Sequence, residues 1–144
     1  MTSEKFGTYS HLLDRTSRRI KQFATQRFKE ANIDITVEQW HILKHLAIDN
    51  HKNQSDLAEL TGKDNPTLTR IIDLLCKKKL TLRTQHPTDR RSFLVTLTAQ
   101  GQQTVKQLTP LVATIRMKAW ENLSENDYND LKRILDTIYQ TLQI

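Results

Sequence analysis

The chain has 144 residues, 37% of them hydrophobic, and a formal net charge of +6. That length fits one domain, and the apolar share is lean for a self-sufficient globular monomer, so a partner subunit is expected to supply part of the stability. The single Cys76 excludes an intrachain disulfide and fits a reducing compartment. No apolar run approaches the roughly 18 residues needed to cross a bilayer, and the polar start MTSEKFGTYS lacks a signal-peptide core, so a cytoplasmic protein without membrane contact is expected.

The charge is unevenly placed. Residues 63–91 carry eight Lys/Arg against three Asp, residues 1–62 nine against eight, and the last 26 residues two against five. A positive segment between near-neutral and acidic ones suggests a face built for a polyanion, although charge alone also fits a solvated basic loop.

The first helical pattern runs from about Lys5 to Ala31, with Phe6, Tyr9, Leu12, Leu13, Thr16, Ile20 and Phe23 near helical spacing and Arg15, Arg18, Arg19 and Lys21 on the polar side. A helix this long at a chain end has little domain surface to pack on, and its stripe suits an intersubunit seam. A second helix starts at Thr36, with Gln39 at N3 and Ile35 and Trp40 at the two staple positions. Trp40, Leu43, Leu46 and Ala47 mark its buried face. Asp49 to Lys52 read as a loop.

Two short helices with a tight turn follow. Asn53 caps the first, with Asp56 at N3, and Gly62 supplies the left-handed conformation that ends it. Asn65 is expected to cap the second, with Pro66 at N1, where a missing N–H costs nothing. Its buried stripe is Leu68, Ile71, Ile72 and Leu75, and the opposite face presents Thr67, Arg70, Asp73 and Lys77. The period then changes to two. Leu80, Leu82 and Thr84 alternate, as do Phe93, Val95 and Leu97, with the polar turn HPTDRRS between them. Two strands joined by a basic loop form a wing. Thr98 caps a long helix in which Pro110 should introduce a kink, and Ser124 caps the last one, with Asp127 at N3.

A helix fits the major groove of B-DNA, and its first turn is the part that reaches base edges. Here that turn runs from Asn65 to Arg70: Thr67 can meet a thymine methyl, Thr69 lies beside it, and Arg70 can pair with guanine or clamp phosphate. Gln54 and Ser55 sit at a helix start, where free N–H groups suit a backbone phosphate. In the wing, Arg90 and Arg91 suit the narrow minor groove of A·T-rich DNA, with Asp89 placed to hold an arginine in position. Lys77, Lys78, Lys79 and Arg83 read as non-specific phosphate neutralisation. Thr67 and Thr69 also fit ordinary exposed helix positions.

The segments NQSDLAELTGKDNPTLTRIIDLLCKKKLTLR and TDRRSFLVTLTAQG, with the spacing between them, resemble the MarR family of bacterial regulators, and the resemblance runs over nearly the whole chain. It implies a mainly α fold with a small β-hairpin wing, a winged helix-turn-helix with terminal dimerisation helices. Residues 1–144 then form a single domain, 36–98 its DNA-binding portion, and 5–31 and 99–144 the dimerisation helices. The family's recognition helix falls on residues 65–78 and its wing Asp-x-Arg on Asp89 and Arg91. The resemblance further implies a homodimer on palindromic double-stranded DNA, repression, and release by a small aromatic or phenolic effector. Phe23, Trp40, Trp120 and Tyr128 are candidates to line the effector pocket, which core packing explains at least as well. Many members carry Gly where this chain has Lys79; a left-handed residue there carries a penalty of order 1 kcal/mol, which leaves room for the helix to close differently.

His41 and His45 share a helix face, but no third ligand follows, so no metal and no cofactor are expected. Cys76 lies beside an apolar stripe and reads as structural. No nucleophile is set up with a base, which speaks against an enzyme. The alternative is a non-specific architectural DNA-binding protein using the same basic segment.

Overall fold

Residues 3–144 are described by a computed structural model. Among them the elements run α1 (Ser3–Glu30), α2 (Val37–Ile48), β1 (Lys52–Asn53), α3 (Gln54–Thr61), α4 (Asn65–Lys77), β2 (Thr81–Gln85), β3 (Phe93–Leu97), α5 (Ala99–Lys118) and α6 (Glu125–Thr141). Helices α2 to α6 begin where side chains accept otherwise unpartnered N–H groups. Thr36 accepts from the Gln39 N–H while Gln39 accepts from Thr36, a complete capping box, and Ser124 and Asp127 repeat it at α6. Asn53 starts α3 and Thr98 starts α5. α5 runs on through Pro110 to Lys118.

The core lies between α2, α3, α4 and the sheet. Ile42, Leu43 and Leu46 of α2, Leu57 of α3, Leu68, Ile72 and Leu75 of α4 and Val95 of β3 are all wholly withdrawn from solvent. Ala47, expected on the buried face of α2, is exposed, and Ile42 is buried in its place. The sheet has three strands in the order β1-β3-β2, all antiparallel, with Arg83 opposite Val95 and Lys52 also opposite Val95 on the other side. The expected loop at Asp49–Lys52 therefore ends in a short strand. Two residues carry no period to read, and β1 exists because Lys52 and Asn53 reach the free edge of β3.

The alternation of Leu80, Leu82 and Thr84 falls on a strand, β2 (Thr81–Gln85), whose buried residue is Thr81. Leu82 is exposed and Thr81 fully buried, its hydroxyl 3.3 Å from the Cys76 thiol. A partner for the hydroxyl offsets the usual cost of burying it.

The corner between α4 and β2 closes in the way glycine usually allows. Lys79 has φ of 63°, its N–H bonding the Cys76 carbonyl at 2.9 Å and the Leu80 N–H bonding the Leu75 carbonyl at 3.0 Å. Lys79 thus takes the left-handed conformation rather than another closure. The start of α5 sits on this corner. The Thr98 hydroxyl donates to the Lys79 carbonyl at 2.7 Å, and a Cβ on Gly101 would lie 2.1 Å from the Leu80 carbonyl oxygen, so only glycine fits there.

Lys79→Gly should relieve the left-handed strain and stabilise the fold by about 1 kcal/mol. The expected result is a higher urea midpoint with an unchanged slope; a midpoint at or below the parent's would contradict it.

Candidate nucleic-acid interface

α3 and α4 meet across a turn set by two residues. Gly62, at φ of 66°, ends α3, and Asp64 starts α4 by accepting the Thr67 N–H at 2.8 Å. The cap is therefore Asp64, one residue before the expected Asn65, and Asn65 and Pro66 are the first two residues inside the helix. A carboxylate competes well for this position because it both accepts the N–H and meets the positive end of the helix. The Thr67 N–H, then the Thr67 hydroxyl, hold the Asp64 carboxyl below its ordinary 3.8.

Burial of Leu68, Ile72 and Leu75 turns the rest of α4 outward. Asn65 and Arg70 are exposed and Thr67 is half-exposed, and Arg70 has no ion-pair partner among the described residues. Thr69 is held from behind: its hydroxyl accepts from Gln54 Nε2 at 2.6 Å. Gln54 is thereby engaged within the protein, binding the start of α3 to α4, while Ser55 beside it stays exposed.

The basic residues that follow separate by environment. Lys77 is exposed. Lys78 turns inward, donating to the Asp34 carbonyl at 2.5 Å and to Gln39 Oε1 at 3.1 Å. Arg83 reaches back from β2 to α4, with Nη1 2.6 Å from Asp73 Oδ1 and Nη2 donating to the Thr69 carbonyl at 3.3 Å. By residue type alone these are equivalent cations. Only their long-range partners distinguish them.

The wing tip spans residues 86–92, closed by the His86 N–H donating to the Ser92 carbonyl at 3.1 Å. His86 Nδ1 accepts from the Thr88 and Asp89 N–H groups, both at 3.2 Å. Asp89 accepts the backbone N–H of Arg91 at 3.0 Å. The carboxylate therefore shapes the loop through the backbone of Arg91 and leaves the exposed guanidinium groups of Arg90 and Arg91 unpaired among the described residues.

The four aromatic candidates for an effector pocket do not converge on one cavity. Trp120 and Tyr128 pack edge to face at 6.4 Å and line a 910 Å³ groove between α5 and α6, with Met117, Leu131 and Leu135. Phe23 lines a separate 430 Å³ cleft between α1 and α5 with Arg27, Leu111 and Ile115. Trp40 is buried in the core, its indole N–H without a partner among the described residues. Burial, then the neighbouring Lys44, holds His41 and His45 below the ordinary imidazole value. A lysine beside both rings disfavours a cation there, and no cluster of three metal-ligating residues occurs among the described residues. No helix among them is long and apolar enough to cross a membrane.

A helix-turn-helix followed by a hairpin, with an exposed basic face on both, defines a winged helix-turn-helix DNA-binding protein. Residues 35–93 match the MarR family model. The chain is 30% identical over 118 residues to the HTH-type transcriptional regulator SarZ of Staphylococcus aureus, a match covering 81% of this chain and 76% of the relative. Its fold is similar to that of S. aureus MepR in a DNA complex, with a TM-score of 0.82 at 29% identity, covering 93% of this chain and 98% of MepR. It is equally similar to Bordetella bronchiseptica BpsR, whose DNA binding is regulated by 6-hydroxynicotinic acid, with a TM-score of 0.82 at 25% identity, covering 92% and 98%. The chain belongs to the MarR family and is a sequence-specific DNA-binding regulator, not an enzyme.

The depressed Asp64 pKa carries a pH signature. Its contribution is in place above the ordinary carboxylate value and is lost as the pH falls through the lower folded value. Asp64→Ala should lower the urea midpoint at pH 7, with Asp64→Asn retaining most of the parent's stability, and the gap between parent and alanine variant should narrow as the pH falls below 3.8. Equal midpoints at pH 7 would remove the capping role.

Proposed function

We propose that the chain works in the cytoplasm as a homodimeric repressor that holds a palindromic operator until a small aromatic or phenolic ligand releases it. In this reading residues 1–144 are a single domain, 36–98 grip the DNA, and 5–31 and 99–144 join the two copies. The observation that carries it is the uncovered apolar stripe of the terminal helices. α6 has no buried residue, although Ile134, Leu135, Ile138 and Leu142 recur at helical spacing, and Phe6, Tyr9, Leu13 and Ile20 of α1 are equally open. Stripes of this extent mark surfaces that another chain covers. Charge supports the same pairing, since α1 is rich in arginine and lysine while α6 carries Glu125, Asp127, Asp130 and Asp136.

On the DNA, Asn65, Thr67 and Arg70 face the major groove, with Thr69 steadied by Gln54 beneath them. Arg90 and Arg91 enter the minor groove from the wing that Asp89 shapes, Ser55 and Lys77 meet phosphate, and Arg83 fixes the orientation of α4. The response of BpsR to 6-hydroxynicotinic acid supports an aromatic effector, and the cleft at Phe23 and Arg27 has the size and mixed lining such a ligand uses. Trp120 and Tyr128 belong to the groove that a second copy would cover.

Sedimentation under DNA-binding conditions should give twice the chain mass of 16.8 kDa. Arg70→Ala and Arg91→Ala should each weaken binding to a selected duplex by about tenfold or more, with little change in affinity for random DNA. A strict monomer, or parent-like affinity in both variants, would overturn the proposal. Equal affinity of the parent for selected and random duplexes at fixed salt would favour the architectural alternative.

A further inference from the structure

Lys78 stands in the most basic stretch of the chain, between Lys77 and Lys79, yet it alone of the three is half-buried. Its ammonium reaches back past the end of α4 to the corner between α1 and α2. There it donates to the Asp34 carbonyl at 2.5 Å and to Gln39 Oε1 at 3.1 Å. Gln39 is itself buried, and the same oxygen accepts the Thr36 N–H at 3.1 Å. One charged group therefore joins three things: the C-cap of the recognition helix, the loop leaving α1, and the capping box that starts α2.

The mechanical setting gives this bond more than local meaning. Lys78 is the C-cap of α4, and the next residue is the left-handed Lys79, so the backbone at this end has little freedom to absorb a shift. On the other side, the corner is fixed to α1, the Ile33 N–H donating to the Phe28 carbonyl at 3.0 Å, and Ile35 is buried. A charge-assisted hydrogen bond between two such rigid pieces constrains the angle between them.

We propose that Lys78 is a positioning residue: it sets the angle of the recognition helix to α1, and through α1 the separation of the two recognition helices in the dimer. This rests on the dimer reading given above. A lysine with this role makes no phosphate contact, which separates it from Lys77 although the two are neighbours. Loss of the strap should leave each winged module intact while loosening the distance between the two.

The test uses full-length protein and a palindromic duplex selected by the parent from random-sequence DNA, with the centre lengthened or shortened in steps of one base pair. Lys78→Met keeps the stem and removes the donors; Lys78→Arg keeps charge and donors; Lys78→Gln, shorter and still polar, replaces the methionine variant if that one is unstable. Thermal unfolding of each variant confirms that binding is measured well below its midpoint. The parent should show one sharp spacing optimum. Lys78→Met should flatten or move that optimum, with about a five- to tenfold loss on the best duplex, and Lys78→Arg should restore it. The slope of log affinity against log salt should stay at the parent's value. A slope shallower by about 0.9 per lost contact would make Lys78 a phosphate ligand and overturn the proposal. So would an unchanged optimum in the methionine variant, which a merely stabilising role gives. A parent with no spacing preference would instead remove the dimer reading, and the proposal with it.

Discussion

Leu68, Ile72 and Leu75 are wholly withdrawn from solvent, and their burial decides what α4 can show to DNA. Each withdrawn side chain contributes about 2 kcal/mol, so rotating the helix to expose them would cost more than any surface contact could return. Helical periodicity then leaves Asn65, Arg70 and Lys77 outside and Thr67 half-covered. The brackets around the helix refine that orientation. Gln54 holds Thr69 from α3, Arg83 holds Asp73 and the Thr69 carbonyl from β2, and Lys78 holds the far end against the α1–α2 corner. The helix is fixed by its apolar face and trimmed by polar contacts on its flanks. The proposed role in reading base edges depends on this order, because a small rotation would move the first turn of α4 out of register with a groove.

Polar residues in the basic segment thus divide between holding and reaching. Arg70, Arg90 and Arg91 remain unpaired among the described residues, and their charge is free to meet an anion. Arg83 and Lys78 spend their donors on the protein. Asp89 belongs with the holders, since it fixes the wing by accepting a backbone N–H and leaves the guanidinium of Arg91 open. Net charge alone could not have made this division, because it counts every lysine and arginine alike.

Much of the architecture was legible in the residues, and the reason is that its signals are local. Thr36 with Gln39, Asn53, Gly62, Thr98 and Ser124 with Asp127 act within four residues of themselves, and the observed caps fall where those patterns put them. The stripe of α4 follows from its period. The misreadings arise where a distant partner decides. β1 forms because β3 offers an edge, and Lys78 turns inward because the α1–α2 corner offers two oxygens. The cap at Asp64 is a different case, since Asp and Asn are adjacent and both suit the position. The four aromatic residues scattered for the same reason the stripes did not: they lie on different helices, and nothing in their spacing tells which helices meet.

In the proposed dimer, two copies of α4 lie in successive major grooves on one side of the duplex. Dimethyl sulfate protection on a selected operator tests that arrangement most directly, because the reagent reports guanine N7 in the major groove. Two clusters of protected guanines about 10 base pairs apart are expected, with adenine N3 protection at the flanks from wings seated in the minor groove. A single protected cluster, or weak protection spread evenly along the fragment, would contradict it.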